Sequence, residues 1–361
     1  MDNYNFTMHW HGLSQRTAIF SDGTSLVSQW PIAPQHFFDY EVHPEEDDAG
    51  SYFYHSHVGF QAVSAHGPLI VEDAGPPPYH YEEERVVLLS DYFNSSDNKI
   101  ESGLTATPFV WSNETNAVLI NGVGVAIGET AGTGDCKLPV IDVDPGKTYR
   151  LRFIGGTALS MVQIGIVGHD NLTIVGADGR YTKPHAERYM QLSSGQRFEV
   201  ILETKSEEEL NGQTDYIIQF ETKDRPSVYR GYGILRYSRA SPKIDAGPTT
   251  PPLSFSNDTY CWLEYTLEPL VPNDFPTAQD VTRRLVVDIR QLLKGTDVWA
   301  LNGLQWNDTI VPDDTPYLVS IYEKGEAAVP DYDAALKNGG WDPKTYVWPA
   351  KLGEVRRPYK V

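Results

Sequence analysis

The chain is poor in cysteine, in long apolar runs and in positive charge. Only Cys136 and Cys261 occur among 361 residues, which excludes a dense disulfide framework; the two could pair with each other, stay free or have other partners. No run of about eighteen apolar residues is present, so no membrane-spanning helix is expected. Lysine and arginine number 29 against 49 acidic residues, and the net charge of −20 argues against nucleic-acid and anionic-membrane partners.

Histidine is scarce and unevenly placed. The chain has ten histidines, none of them after His185, yet four form two closely spaced pairs, His9-Trp10-His11 and His55-Ser56-His57. Side chains two residues apart on a strand point to the same face. If the two strands are neighbours, four imidazoles converge on one spot. Imidazole nitrogen suits copper, zinc, iron and nickel, so the pairs predict a metal site.

The composition favours short strands joined by turns. Glycine (30 residues), proline (25) and tyrosine (21) are plentiful, and helix is expected to be scarce. Alternating or apolar strands are predicted at 37–42, 52–54, 69–71, 85–89, 149–153, 198–202, 216–220, 233–237 and 285–289, and a short helix at 330–338. Several short strands at this spacing predict β-sandwiches, that is, an all-β fold.

The residues around the histidine pairs occur in a fixed order. The motifs are His9-Trp10-His11-Gly12-Leu13, Ser21-Asp22-Gly23-Thr24, Gln29-Trp30-Pro31-Ile32 and Gly50-Ser51-Tyr52-Phe53-Tyr54-His55-Ser56-His57. Their order and spacing resemble those of the multicopper oxidases: laccases, ascorbate oxidases, ferroxidases and the pigment oxidases of filamentous fungi. Later segments, such as Gly168-His169-Asp170 and Gly340-Trp341-Asp342-Pro343, are also similar to that family.

The resemblance implies cupredoxin-like Greek-key β-sandwiches in series. We expect a first domain over residues 1–73 that carries the ligand motifs, and a second over 82–240. A proline-rich linker is expected over 241–280, followed by the start of a third domain over 281–361. The first and third domains would be incomplete, because the sequence looks cut at both ends when it is compared with the family pattern.

The resemblance also implies roles for individual residues. His9 would bind the type 2 copper, and His11, His55 and His57 the type 3 pair. Asp22 would be the acid that helps deliver protons to reduced oxygen, although Asp22-Gly23 could instead be an ordinary β-turn. The implied reaction is oxidation of phenols or related secondary metabolites, coupled to reduction of dioxygen to water.

The chain departs from the family pattern in its later part. The absence of histidine after His185 leaves out half of the trinuclear ligands, and no His-Cys-His supplies a type 1 copper site. We therefore expect little or no oxidase turnover from this polypeptide alone. Two alternatives stay open: a non-catalytic, secreted copper-binding β-sandwich glycoprotein, and a metal-ion oxidase of the ferroxidase kind.

Glycosylation signals are more frequent than the composition explains. Six Asn-x-Ser/Thr sequons occur, and beyond the one at Asn5 they predict N-glycans at Asn94, Asn113, Asn171, Asn257 and Asn307. We infer secretion or residence in the secretory pathway or cell wall, although no signal peptide precedes Asp2 in this sequence.

Overall fold

The computed structural model describes residues 4–134, 136–237, 244–258, 262–272, 275–293, 295–305 and 314–360. Strands dominate these residues and the α-helices are short, as the composition predicts. None of the described helices has the length and apolar character needed to cross a lipid bilayer. Cys261 and the sequon at Asn307, both singled out above, lie outside the described residues.

The first unit is a three-stranded antiparallel sheet. Its strands are β1 (His9–His11), β2 (Gly50–His55) and β3 (His66–Val71), with β2 in the centre. The strand predicted at 37–42 is not formed, so that prediction is wrong. The segment bonds through side chains instead: Glu41 N donates to Ser21 Oγ at 2.9 Å and the Tyr40 hydroxyl accepts from Met8 N at 2.8 Å.

The second unit is a sandwich of two sheets. The six-stranded sheet has the order β10-β9-β12-β7-β4-β5, with β4 (Glu83–Tyr92), β5 (Ala117–Ile120), β7 (Thr148–Gly155), β9 (Leu172–Ala177), β10 (Arg180–Glu187) and β12 (Arg197–Glu203). The five-stranded sheet has the order β11-β8-β13-β14-β6, with β6 (Val140–Asp142), β8 (Met161–Ile166), β11 (Tyr189–Leu192), β13 (Asp215–Lys223) and β14 (Arg230–Arg236). The parallel pairs β4–β7 and β6–β14 break the antiparallel pattern. Two short helices, α1 (Asp97–Leu104) and α2 (Glu207–Leu210), lie in its connections.

Strand β7 shows how the sequence pattern builds this unit. Tyr149, Leu151 and Phe153 point into the core between the two sheets and are at most 1% exposed. Arg150 and Arg152 alternate with them, and the sequence alone would place such residues in solvent. They are nevertheless buried, because β2 of the first unit packs over that face of the sheet.

A buried charge network joins the two units. The Glu199 carboxylate, 3% exposed, accepts hydrogen bonds from Arg150 Nε at 3.1 Å and from Arg152 Nη1 at 3.1 Å. Its Oε1 also accepts from Ser51 Oγ of β2 at 2.8 Å. Buried charges are tolerated only when paired and hydrogen-bonded, so each member depends on the others.

The proline-rich segment packs against the second unit. Gln219 exchanges two hydrogen bonds with the backbone of Leu253, at 2.8 and 3.0 Å. Gln163 Nε2 donates to Ser256 O at 3.0 Å, and Pro269 forms a β-bridge with Thr182 of β10. The described part of this segment therefore covers polar residues of the five-stranded sheet and an edge of the other sheet.

The last part of the chain contains two small ladders and two helices. Strand β15 (Arg283–Val287) pairs in parallel with β18 (Arg356–Lys360), and β16 (Ile289–Leu293) pairs with β17 (Asp297–Leu301). Helices α3 (Tyr317–Lys324) and α4 (Tyr332–Lys337) lie between β17 and β18 in the chain. Helix α4 confirms the helix predicted over 330–338 and is capped by the Asp331 side chain, which accepts from Ala334 N at 2.9 Å. The domain boundaries proposed above stay a prediction.

The buried network predicts a stability defect. In Glu199→Gln the two arginines keep their charge and lose the buried carboxylate that they share, while Arg152 keeps its ion pair with Glu84 and Arg150 its longer contact with Asp73. We expect the free energy of unfolding to fall by about 3–5 kcal/mol, the usual cost of breaking a buried ion pair. Urea denaturation measures it, with the exposed Glu208→Gln as the matched control. A loss of stability no greater than that of the control would contradict the role given to Glu199.

His169 predicts a pH-dependent contribution to stability. Burial lowers the pKa of His169 below its ordinary 6.5, and its Nε2 lies 2.6 Å from the Tyr237 hydroxyl. A lowered folded-state pKa gives stability that is present above pH 6.5 and lost as the pH falls below it. The free energy of unfolding of the parent chain should therefore fall toward that of His169→Gln as the pH is lowered. Measurements from about pH 7.5 to about pH 5 bracket the ordinary histidine pKa. Parallel curves would show that His169 does not titrate as inferred.

Candidate metal centre

Strand pairing brings the two histidine pairs together. Strands β1 and β2 are antiparallel neighbours, with His9 directly opposite His55 and His11 opposite Phe53. Directly opposed residues share a face of the sheet, so His9, His11 and His55 project from the same side. His57 follows the end of β2, and its backbone N–H donates to Thr7 Oγ1 at 3.3 Å.

The four imidazole rings converge. The His9 ring centroid lies 5.7 Å from that of His11, 5.3 Å from that of His55 and 5.6 Å from that of His57. The ring of His55 lies 5.5 Å from His11 and 5.9 Å from His57. One nitrogen each of His9, His11 and His55 lie within 4.8 Å of one another, close enough to share a metal ion.

Backbone carbonyls fix two of the rings. His9 Nδ1 lies 2.7 Å from Asp22 O, and His55 Nδ1 lies 2.8 Å from Ser56 O. A carbonyl oxygen can only accept, so Nδ1 must carry the proton in both rings. Nε2 of His9 and of His55 is then the unprotonated nitrogen with a lone pair for a metal. Such partners orient ligand histidines and select their tautomer.

His11 is held differently. Its Nδ1 faces the cluster, 3.3 Å from His55 Nε2. Its ring lies against Phe53, with centroids 4.5 Å apart and planes tilted by 31°. Its outer edge faces Gly195, since a Cβ there would lie 2.9 Å from both Cε1 and Nε2 of His11. His11 therefore offers Nδ1 to the site, in contrast to His9 and His55.

Two of the rings are held in the neutral form. Burial lowers the pKa of His11 to about 3, with the Arg197 guanidinium the next contribution. Burial also lowers the pKa of His55 to about 4, and the neighbouring histidines add to this effect. A metal ligand must be deprotonated, so both rings are ready to bind at neutral pH.

Asp22 lies behind His9. It ends a short 3₁₀ turn, Ile19–Asp22, and Gly23 follows in the left-handed region with φ of 78°. Asp22 Oδ1 is 3.6 Å from His9 Nδ1, and Oδ2 accepts a hydrogen bond from Thr24 Oγ1 at 2.5 Å. The side chain is 35% exposed, so its carboxylate lies between His9 and solvent. Asp22 therefore lies both in a turn and beside His9, so this geometry fits the proton-delivery role as well as the ordinary β-turn.

Sequence reasoning missed the residues that surround His11. Phe53 belongs to the motif that contains His55, but the motif does not predict its contact with His11. Gly195 and Arg197 are far from His11 in the sequence. Arg197 is 4% exposed, with its guanidinium over the Tyr52 ring at 5.4 Å. The sequence gives no signal of this burial, because an arginine at the start of a strand is expected in solvent.

The donor set fits copper. The cluster presents neutral imidazole nitrogens, with His9 Nε2, His55 Nε2 and His11 Nδ1 turned inward and a carboxylate held behind them. Imidazole nitrogen binds copper well, though zinc, iron and nickel also accept it. Chemistry alone therefore restricts the site to a transition metal.

Comparisons with known proteins identify the family. Residues 1–76 and residues 83–240 each match a family model described as multicopper oxidase. The chain is 49% identical to laccase-like multicopper oxidase 1 of Thermothelomyces thermophilus, over 98% of this chain and 62% of that protein. It is 42% identical to multicopper oxidase terE of Aspergillus terreus, over 96% of this chain and 70% of that protein.

Solved structures agree in fold. The chain superimposes on Fet3p, described as a multicopper oxidase that functions in iron import, with a TM-score of 0.71 at 21% identity, covering 91% of this chain and 58% of that one. The all-β, cupredoxin-like fold class is thereby confirmed. The chain spans about three-fifths of the length of the relatives first matched. With the sequence matches above, these findings show that the chain belongs to the multicopper oxidase family.

Proposed function

We propose that this chain supplies the first-domain half of a trinuclear copper site. The site would belong to an oxidase that oxidises phenolic or related secondary metabolites and reduces dioxygen to water. One observation carries the proposal: four imidazoles from two His-x-His units converge within 6 Å between ring centroids for the pairs measured. The laccase-like relative supports the substrate class.

His9 is proposed as the type 2 ligand, and His11, His55 and His57 as type 3 ligands. Bound copper would collect electrons and pass them to dioxygen. The protein's contribution is to hold the rings: Asp22 O and Ser56 O each accept a hydrogen bond from an imidazole Nδ1. These bonds fix the orientation and the tautomer of each ring, as outer partners of ligand histidines do.

Asp22 is proposed to supply protons. Reduction of dioxygen to water consumes protons as well as electrons, so a group that exchanges them must lie near the ligands. Asp22 Oδ1, 3.6 Å from His9 Nδ1, lies close enough, and the partial exposure of the side chain allows it to regain a proton from solvent. The Thr24 hydroxyl holds the other oxygen in place.

We also propose, from the sequons, that the chain is a secreted glycoprotein. Asn94, Asn113, Asn171 and Asn257 are all exposed, as an N-glycan requires. The exposed positions fit both the oxidase and the alternative of a non-catalytic copper-binding glycoprotein.

Copper binding tests the metal site. Single substitutions His9→Ala and His55→Ala should weaken copper affinity by more than the roughly 10- to 100-fold that loss of an outer hydrogen-bond partner costs. Competition with a chromophoric Cu(I) chelator measures the affinity. His43→Ala is the matched control, because His43 is exposed and pairs with Glu41 rather than with the cluster. Equal affinities in all variants would exclude the cluster as the copper site.

Oxygen uptake separates the two functions. This polypeptide alone, loaded with copper and given a phenolic substrate, should show no turnover above the free-copper background. The physical reason is that a blue-copper site needs a cysteine thiolate and two imidazoles as ligands, and this polypeptide has neither the family's His-Cys-His motif nor a histidine after His185 to supply them. Turnover well above that background would show that the chain accepts electrons by another route.

A further inference from the structure

We propose that the N-glycan at Asn94 folds back onto the second unit, where its first N-acetylglucosamine packs against Tyr92 in an apolar groove. The groove is lined by residues of β4, of β5 and of the loop that follows β5. This inference rests on the proposed glycoprotein, since it requires a sugar on Asn94. It adds a binding site for that sugar within the fold.

The apolar groove lies on the surface of the second unit. Its volume is about 560 Å³, a size that accommodates a small ligand. Leu119 and Ala126 line it and pack against the core between the two sheets. Val123 and Ile127 also line it, and they are 39% and 62% exposed. A contiguous exposed apolar surface of this kind marks a place where something binds.

The glycosylation signal stands in the wall of this groove. Asn94 begins the sequon Asn94-Ser95-Ser96, is exposed and lines the groove. Its backbone N–H donates to Asn116 Oδ1 at 2.8 Å, which holds the turn after β4. Within the described residues, no hydrogen bond engages the Asn94 side chain, so its amide nitrogen is available to carry a sugar. A sugar attached there starts at the edge of the groove.

Tyr92 supplies an aromatic surface two residues before Asn94. It ends β4, lies opposite Ala117 of β5, lines the groove and is 42% exposed. Its backbone is fixed, because Tyr92 N donates to Thr115 Oγ1 at 3.2 Å and Tyr92 O accepts from Asn116 N at 2.8 Å. Among the residues that the structure describes, no other aromatic ring contacts the Tyr92 ring. The ring therefore offers an open face in the groove.

The chemistry of N-acetylglucosamine fits this surface. A pyranose ring has a face of C–H groups, whose partial positive charge is attracted to the negative face of an aromatic ring. The methyl of its acetyl group is apolar and suits Leu119 and Val123. Glu129 also lines the groove, and within the described ranges its carboxylate has no hydrogen-bond or ion-pair partner, so it can accept from sugar hydroxyls. The groove thus combines an aromatic face, apolar walls and an acceptor.

Covalent attachment favours this occupant over a diffusible ligand. A free sugar loses translational and rotational freedom when it binds, whereas a sugar attached to Asn94 has already lost most of it. The tether also gives the sugar a high effective concentration at the groove. A contact that is too weak to hold a free sugar is therefore strong enough to hold this one.

Glycan removal at single sites tests the contact. The full 361-residue chain is secreted from a fungal host, and glycopeptide mass spectrometry establishes which sequons carry sugar. We expect Asn94→Gln to lower the melting temperature by about 2–4 °C, the shift that a contact as strong as one aromatic pair produces in a domain of roughly 150–250 residues. Asn171→Gln is the matched control and should leave it unchanged. Asn171 is also exposed, but the residue two positions before it, His169, is only 6% exposed and offers no open ring.

A substitution of Tyr92 shows whether the ring and the sugar interact. Tyr92→Ala should lower the melting temperature more in the glycosylated chain than in the Asn94→Gln background, because residues in contact are coupled. Tyr92→Phe keeps the ring and should behave like the parent. An equal effect of Tyr92→Ala in both backgrounds overturns the inference and shows that the glycan extends into solvent.

The contact can also be read in the unsubstituted chain, which decides if a variant does not fold. An endoglycosidase trims each glycan to its first N-acetylglucosamine, which carries a ¹³C label. We expect nuclear Overhauser effects between the sugar on Asn94 and the Tyr92 ring, with ring-current shifts of the sugar protons. Their absence overturns the inference.

The outcomes separate this inference from the proposed glycoprotein. A glycan on Asn94 that neither stabilises the chain nor contacts Tyr92 overturns the inference and leaves the glycoprotein proposal intact. An unmodified Asn94 in a chain that carries sugar on Asn171 does the same. If the secreted chain carries no sugar at any sequon, the glycoprotein proposal fails and the inference fails with it.

Discussion

The register between β1 and β2 is the constraint on which the candidate site depends. His9 lies opposite His55, and because side chains alternate between faces, this register directs His9, His11 and His55 to one side. A slip of one residue would turn Trp10 toward the site and the histidines away from it. The aromatic residues on the other face make such a slip costly, since Trp10 packs against Tyr40 and Tyr54 there. Aromatic packing on one face of the sheet thus stabilises the register that directs the histidines to the other face.

The same sheet is fixed to the second unit by buried charge. Ser51 of β2 bonds to Glu199, which also accepts from Arg150 and Arg152, and the backbone of Ser51 accepts from Arg197. Burying these ions is expensive, and apolar residues of similar volume would often be as stable. Unlike apolar contacts, the hydrogen bonds between these charged groups are directional, so they allow only one relative position of the residues. The network therefore sets where β2, and with it His55, stands relative to the second unit.

The sequence was sufficient to predict the candidate metal ligands, but not the residues that surround them. Two His-x-His pairs and a strand period of two were enough to predict that the rings converge, because those relations are local to each strand. The apolar alternation of β7 was also readable, and α4 lies within the range 330–338 predicted for a short helix. The strand predicted at 37–42 failed because hydrogen bonds to Ser21 and from Met8, both distant in sequence, replaced ladder pairing. Arg197 and Gly195 could not be assigned, since their role depends on a contact between residues more than 180 positions apart.

Burial and the Arg197 guanidinium both lower the pKa of His11, which explains why a neutral imidazole suits the candidate site. The chain carries a net charge of −20, which attracts cations, yet the buried Arg197 guanidinium lies near His11 and favours neutral groups there. A carboxylate ligand in the same place would pair with Arg197 and turn away from the metal. A neutral imidazole has no such attraction, and burial keeps it neutral by disfavouring its protonated form. The pocket can therefore contain a fixed positive charge, a half-buried ligand set and a metal cation together, provided that the ligands are histidines whose tautomers are already set.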